Sequence, residues 1–155
     1  MTLSAVTHLN FHGQAREALE FYQSVFGGQL TVATYADFGM PAEVPGADRV
    51  VFGQVVAENG FQVMAYDVPG SQTPAAPGAP TTRRENGTTI TTEPFFLSVR
   101  GESVDEVTPV WEGLAKGGAV IEAFGPAPWA PGFGMLADRF GVTWIVDVAA
   151  EYAQA

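Results

Sequence analysis

Two turns of one kind, at corresponding places in the two halves, restrict this chain more than any other feature. In the second half, Asp138-Arg139-Phe140-Gly141 separates the apolar run Phe133 to Ala137 from the run Val142 to Val148. Asp bonds readily to its own backbone and Gly accepts positive φ, so the two runs are expected to fold back as a hairpin. In the first half, Glu58-Asn59-Gly60 stands between Val50 to Ala57 and Phe61 to Asp67. Asn-Gly is the stronger hairpin signal of the two.

What precedes each hairpin also repeats. Val6 to Phe11 alternates as a strand, with Leu9 and Phe11 on one face and His8, Asn10 and His12 on the other. After Gly13-Gln14, the residues Ala15, Ala18, Phe21/Tyr22 and Val25/Phe26 recur at helical spacing, and Gly27-Gly28 closes the stripe. Gln29 to Tyr35 reads as a second strand, and Asp37 to Asp48, with Gly39, Pro41, Pro45 and Gly46, as a loop. The pattern restarts at Phe95 to Arg100, followed by a helical stripe at Val104, Val107, Val110/Trp111 and Leu114/Ala115 and a stop at Gly117-Gly118. Leu9 falls on Leu97, Phe11 on Val99, Gly13 on Gly101, Tyr22 on Trp111 and Gly60 on Gly141. The order strand, helix, three strands thus occurs twice, which predicts an α+β fold of two βαβββ modules in tandem, residues 3–67 and 93–148. Pro109 inside the second stripe predicts a kink or a late helix start.

Between the modules, residues 68–92 turn to Pro, Gly, Ala, Thr and Ser and read as a linker. Within it, Thr88 to Thr92 carries enough β-branched residues to pair as a strand.

Composition removes several classes of function. With no cysteine there is no disulfide, thiolate nucleophile or zinc–thiolate site, and a cytoplasmic location is the natural expectation. Seventeen acidic against seven basic residues leave a net charge of −10, the wrong sign for a phosphate-binding surface, so nucleic acid is excluded as a partner. No window approaches the ~20 apolar residues of a membrane span, and residues 1–6 lack the basic start of a leader, so no membrane association is expected. The serines show no nucleophile-elbow spacing, and the Gly-Gly pairs read as helix stops.

The repeat, the run Gly13-Gln14-Ala15-Arg16-Glu17-Ala18-Leu19-Glu20-Phe21-Tyr22-Gln23-Ser24-Val25-Phe26-Gly27-Gly28, the loop Asp37-Phe38-Gly39-Met40-Pro41, and Trp129 with Phe133 to Trp144 together resemble the PhnB-like branch of the vicinal oxygen chelate superfamily. That superfamily includes glyoxalase I, extradiol dioxygenases, fosfomycin-resistance enzymes and bleomycin-binding proteins. The resemblance implies one glyoxalase-like domain over residues 1–155, two modules forming a cleft, and a homodimer. Several members of the branch are named as 3-demethylubiquinone methyltransferases, but this chain lacks the glycine-rich βα turn of a nucleotide-type cofactor site.

The resemblance places the superfamily's metal ligands on the first and last strands of each module, at His8, Met64, Phe96 and Ile145. Only His8 among these binds metal well, whereas a divalent ion needs about three N or O ligands. A one-residue shift would bring in Asp67 or Asp147 while turning apolar residues out of the core. The expectation is therefore no metal and no cofactor. His8 is the catalytic candidate, with Asn10 beside it on the strand face. Tyr35, Phe38, Met64, Tyr66, Phe96 and Trp129 are expected to contribute to an organic ligand pocket, while Trp111 and Trp144 are assigned to the core. The function that follows is binding of a small organic molecule, sequestering a cationic or aromatic compound. The alternative is a metal-dependent lyase, isomerase or dioxygenase using His8 and a divalent ion.

Overall fold

The computed structural model describes residues 2–70, 72–74 and 77–150. Two compact units emerge, residues 1–75 and 76–155. Parts of the expected linker, at Ser71, Ala75 and Ala76, and of the expected domain, at Met1 and residues 151–155, lie outside the described residues.

The first unit runs β1 (Thr7–Phe11), α1 (Ala15–Phe26), β2 (Gln29–Thr34), a 3-10 turn (Ala36–Phe38), β3 (Val50–Val56) and β4 (Gln62–Asp67). Its sheet has the order β1-β4-β3-β2, with β1 parallel to β4 and the other pairs antiparallel. Alternation decides the faces: Leu9, Phe11, Val55, Val63 and Ala65 are buried with the helix residues Ala15, Ala18, Leu19 and Tyr22. Gly53 is required on this face, because a Cβ there would collide with Leu19. Gly60 closes the β3–β4 turn at φ +97°, while Asn59 keeps negative φ, so the hairpin forms where Asn-Gly predicts it but with a longer loop closed between Ala57 and Phe61.

The second unit repeats the arrangement: β7 (Leu97–Gly101), α2 (Val104–Ala115), β8 (Ala119–Ala127), β9 (Ala130–Ala137) and β10 (Thr143–Val148), in the order β7-β10-β9-β8. Trp144 is fully buried and its indole N–H donates to Asp138 Oδ2 at 2.9 Å, while Asp138 Oδ1 accepts from Phe140 N and Val142 N. One carboxylate therefore shapes the β9–β10 turn and satisfies the largest core side chain. Trp111, expected in the core, is half-buried on α2 against Phe124, 5.7 Å between rings. The helix starts at Val104, where Ser103 Oγ accepts from Glu106 N, and it continues through Pro109. The late start is not observed, because this cap sets the first turn ahead of the proline.

The linker expectation needs correction. Residues 83–90 form a hairpin of β5 (Arg83–Glu85) and β6 (Thr88–Ile90), turned at Asn86 and Gly87 with φ of 51° and 76°. Successive positive φ values are what a two-residue hairpin turn demands. Thr88 to Ile90 pairs as its composition suggested, but its partner strand was not anticipated. The base of the hairpin is tied to the second sheet through Glu93, whose carboxylate accepts from Thr82 and from Thr143 Oγ1 at 2.8 Å. Among the described residues no helix is long and apolar enough to cross a membrane.

Candidate functional site

With α1 covering one face of the first sheet, the other face is left to its polar and aromatic residues. Strand pairing sets His8 opposite Met64 and Met64 opposite Gln54, and sets Asn10 opposite Tyr66. These residues share a face because strand partners do, and Phe52, next to buried Gly53, turns the same way. His8 and Asn10 are exposed; Met64, Tyr66 and Gln54 are half-buried. His8 Nδ1 lies 3.0 Å from Asn10 Oδ1, and the imidazole meets the Tyr66 ring edge-on, 5.3 Å between centroids. When Asn10 Oδ1 accepts, Nδ1 carries the hydrogen, and in the neutral ring the lone pair is then on Nε2.

Tyr35 adjoins this group through its hydroxyl, which donates to the Asp67 carbonyl at 2.6 Å. Desolvation, with Tyr66 and Asp67 adding to it, raises its pKa above the ordinary 10.0, so the phenol stays a donor at neutral pH. Tyr35, Met40, Arg49 and Pro69 line a cavity of about 200 Å³. That is below the ~300 to 1,000 Å³ typical of ligand pockets. Phe38 does not join the group: it stands out from the 3-10 turn, 74% exposed.

The donor set around His8 does not fit a divalent ion. Its strand neighbours offer a thioether and two amides, and Asp67 lies on the opposite, helix-facing side. There Asp67 Oδ1 accepts from Gly13 N at 2.7 Å and Ala15 N at 3.0 Å, and Oδ2 from Val50 N at 2.9 Å. Asp147 is held in a two-pronged ion pair by Arg100, at 3.0 and 2.9 Å. Among the described residues no group of three or more His, Cys, Asp or Glu comes together. The position opposite Ile145 on β7 is Ser98, and Phe96 lies before the strand, half-buried. Exchanging Phe96 for Ser98 moves two residues along and keeps the same face, and within the second sheet it puts a hydroxyl opposite Ile145.

A second group belongs to the other unit and centres on Trp129 in the β8–β9 turn. Trp129 is 46% exposed and meets Phe133 edge to face, 5.1 Å between rings. Arg84, carried in by β5, sits with its guanidinium carbon 5.2 Å from the Phe133 ring and 5.6 Å from the Trp129 ring. Each such contact is worth ~0.5–2 kcal/mol, depending on desolvation. Nη1 donates to Thr89 Oγ1 at 2.8 Å, and Thr89 in turn reaches the Met135 sulfur. Nε is buried without a hydrogen-bond partner. Arg84 and Phe133 were missed at the level of sequence; the Asn86-Gly87 turn was the signal that would have brought Arg84 back over the sheet.

Known proteins share this architecture. The chain is 31% identical to PA1353 from Pseudomonas aeruginosa, a solved structure, over 95% of this chain and 98% of that one, with a TM-score of 0.71. It is 27% identical to a Bacillus cereus structure described as a putative 3-demethylubiquinone-9 3-methyltransferase, PhnB protein, over 95% of this chain and all of that one, with a TM-score of 0.66. Protein YjdN of Escherichia coli (strain K12) is 25% identical over 143 residues, 91% of this chain and 92% of that protein. The model of the Glyoxalase/Bleomycin resistance protein/Dioxygenase superfamily matches residues 6–146, and the chain belongs to that superfamily.

Proposed function

We propose that this chain is a PhnB-like member of the superfamily that binds a small organic molecule, without the usual metal site, and so sequesters a cationic or aromatic compound. The observation that carries this reading is the open face of the first sheet, where His8, Asn10, Met64 and Tyr66 gather one imidazole with an amide, a thioether and a phenol. That set suits stacking and hydrogen bonding to an organic ligand better than coordination. Likeness to the Bacillus cereus PhnB protein supports the branch. The net charge of −10 supports a cation.

The methyl-transfer name of that relative is not carried over. The amides at the first βα turn, Gly13 N and Ala15 N, are taken by Asp67 and are not free to receive a nucleoside-type cofactor. The test is a titration with a panel of cationic and aromatic compounds, followed by chemical-shift changes of the His8 and Tyr66 rings. Saturable shifts that weaken about tenfold or more in Tyr66→Ala support the reading. A panel without any saturable response would refute it.

We take the protein to act as a homodimer in the cytosol. Phe95, ahead of β7, and Val120, on β8, are each 55% exposed and leave apolar surface at both edges of the second sheet for association to cover, and light scattering at working concentration checks it.

A further inference from the structure

We propose that the bracket of Trp129 and Phe133 is a site for a quaternary ammonium group, and that Arg84 is its resting occupant, a built-in plug that such a ligand displaces. The proposal rests on the small-molecule reading above and names the ligand class for one place in the second unit.

Three observations carry it. The bracket already holds a cation, 5.2 and 5.6 Å from its two rings. One side of it faces solvent, with Trp129 46% exposed, while Phe133 forms a buried wall at 9%. And Arg84 fits it poorly as a hydrogen-bonding group: Nη1 has Thr89, no carboxylate pairs with Arg84 among the described residues, and Nε is buried with no acceptor. Around the guanidinium stand two rings, a Thr hydroxyl and, behind it, the Met135 sulfur. These surroundings reward positive charge but do not satisfy N–H donors. A quaternary ammonium carries the charge without an N–H, so it gains the ring contacts with no donor left unpaired, at the loss of the hydrogen bond to Thr89 Oγ1. Arg84 is also delivered on a long flexible side chain by a three-residue strand that is not part of the second four-stranded sheet.

The test uses benzyltrimethylammonium, with benzylammonium and benzoate beside it, in calorimetric titrations of the wild type, Arg84→Met and Arg84→Met/Trp129→Leu. Removing the plug should tighten benzyltrimethylammonium about fivefold, the scale of one lost competing ring contact. Benzylammonium should bind more weakly than the quaternary probe, and the double variant should lose about tenfold or more relative to Arg84→Met. In the wild type, the Arg84 Nε–H proton, displaced upfield by the two rings, should return toward its ordinary position as the quaternary probe is added. This readout holds even where a substitution disturbs folding. Equal or weaker binding in Arg84→Met, or an unmoved Arg84 resonance at saturation, overturns the plug. So does benzoate binding that Arg84→Met abolishes, which would make Arg84 an anion site. The wider reading fails separately, when no organic probe of any charge binds either protein; it survives when neutral aromatics bind and Arg84→Met is indifferent.

Discussion

Asp67 ties three segments of the first unit together. It is 1% exposed and receives the backbone N–H groups of Gly13, Ala15 and Val50, joining β4 to the start of α1 and the start of β3. The helix has no side-chain cap of its own at Gln14, so this carboxylate caps it from across the sheet. Asp67→Ala leaves three amides without an acceptor and should cost ~3–5 kcal/mol, seen as a lower urea midpoint at unchanged slope. A loss under ~1 kcal/mol would show that the amides find other partners. Tyr35 makes a different prediction. Its folded pKa is raised above 10.0, chiefly by desolvation, so the protonated phenol is the form the fold favours. Its contribution is fully present below the unfolded value and is lost as pH rises through the higher folded one. Tyr35→Phe should therefore cost ~1 kcal/mol at neutral pH and flatten the alkaline limb of the stability curve above about pH 10, checked by unfolding at stepped pH.

At the scale of elements, legibility followed period. Both helices and the β3–β4 and β9–β10 hairpins repeat their apolar pattern for long enough to be read, and their Gly turns mark the ends. The β5–β6 hairpin has three-residue strands, too short for any period, and only Asn86-Gly87 announced it. Alternation along β1 and β4, with their pairing, puts His8, Asn10, Met64 and Tyr66 on one face. The Arg84–Trp129–Phe133 group joins residues some 45 positions apart, and no local pattern encodes it. The offset of Phe96 against Ser98 has the same origin, since alternation fixes a face but not the pairing along it. Pro109 is exposed in the interior of α2 and deprives the helix of one N–H. Pro109→Ala should stabilise the protein by ~1–3 kcal/mol, measured as a raised melting temperature. No gain would mean that the unfolded chain is restricted by the proline as much as the helix is harmed.

Across the whole molecule, one βαβββ design is used twice and then treated differently. In the first unit the face away from α1 presents His8 and Asn10 beside half-buried Met64 and Tyr66; in the second, residues 83–90 bring a cation to the aromatic residues of the sheet. Among the described residues neither face gathers the carboxylates and imidazoles that a divalent ion needs; in the first unit Asp67 is engaged by backbone amides, and in the second Asp147 is engaged by Arg100. The account centres on organic ligands in place of metal. Its most direct test is elemental analysis of untagged protein, followed by titration with Ni, Mn, Fe and Zn beside His8→Ala. The account predicts metal at trace level only and no binding heat that depends on His8. Near-stoichiometric metal that disappears in His8→Ala would contradict it.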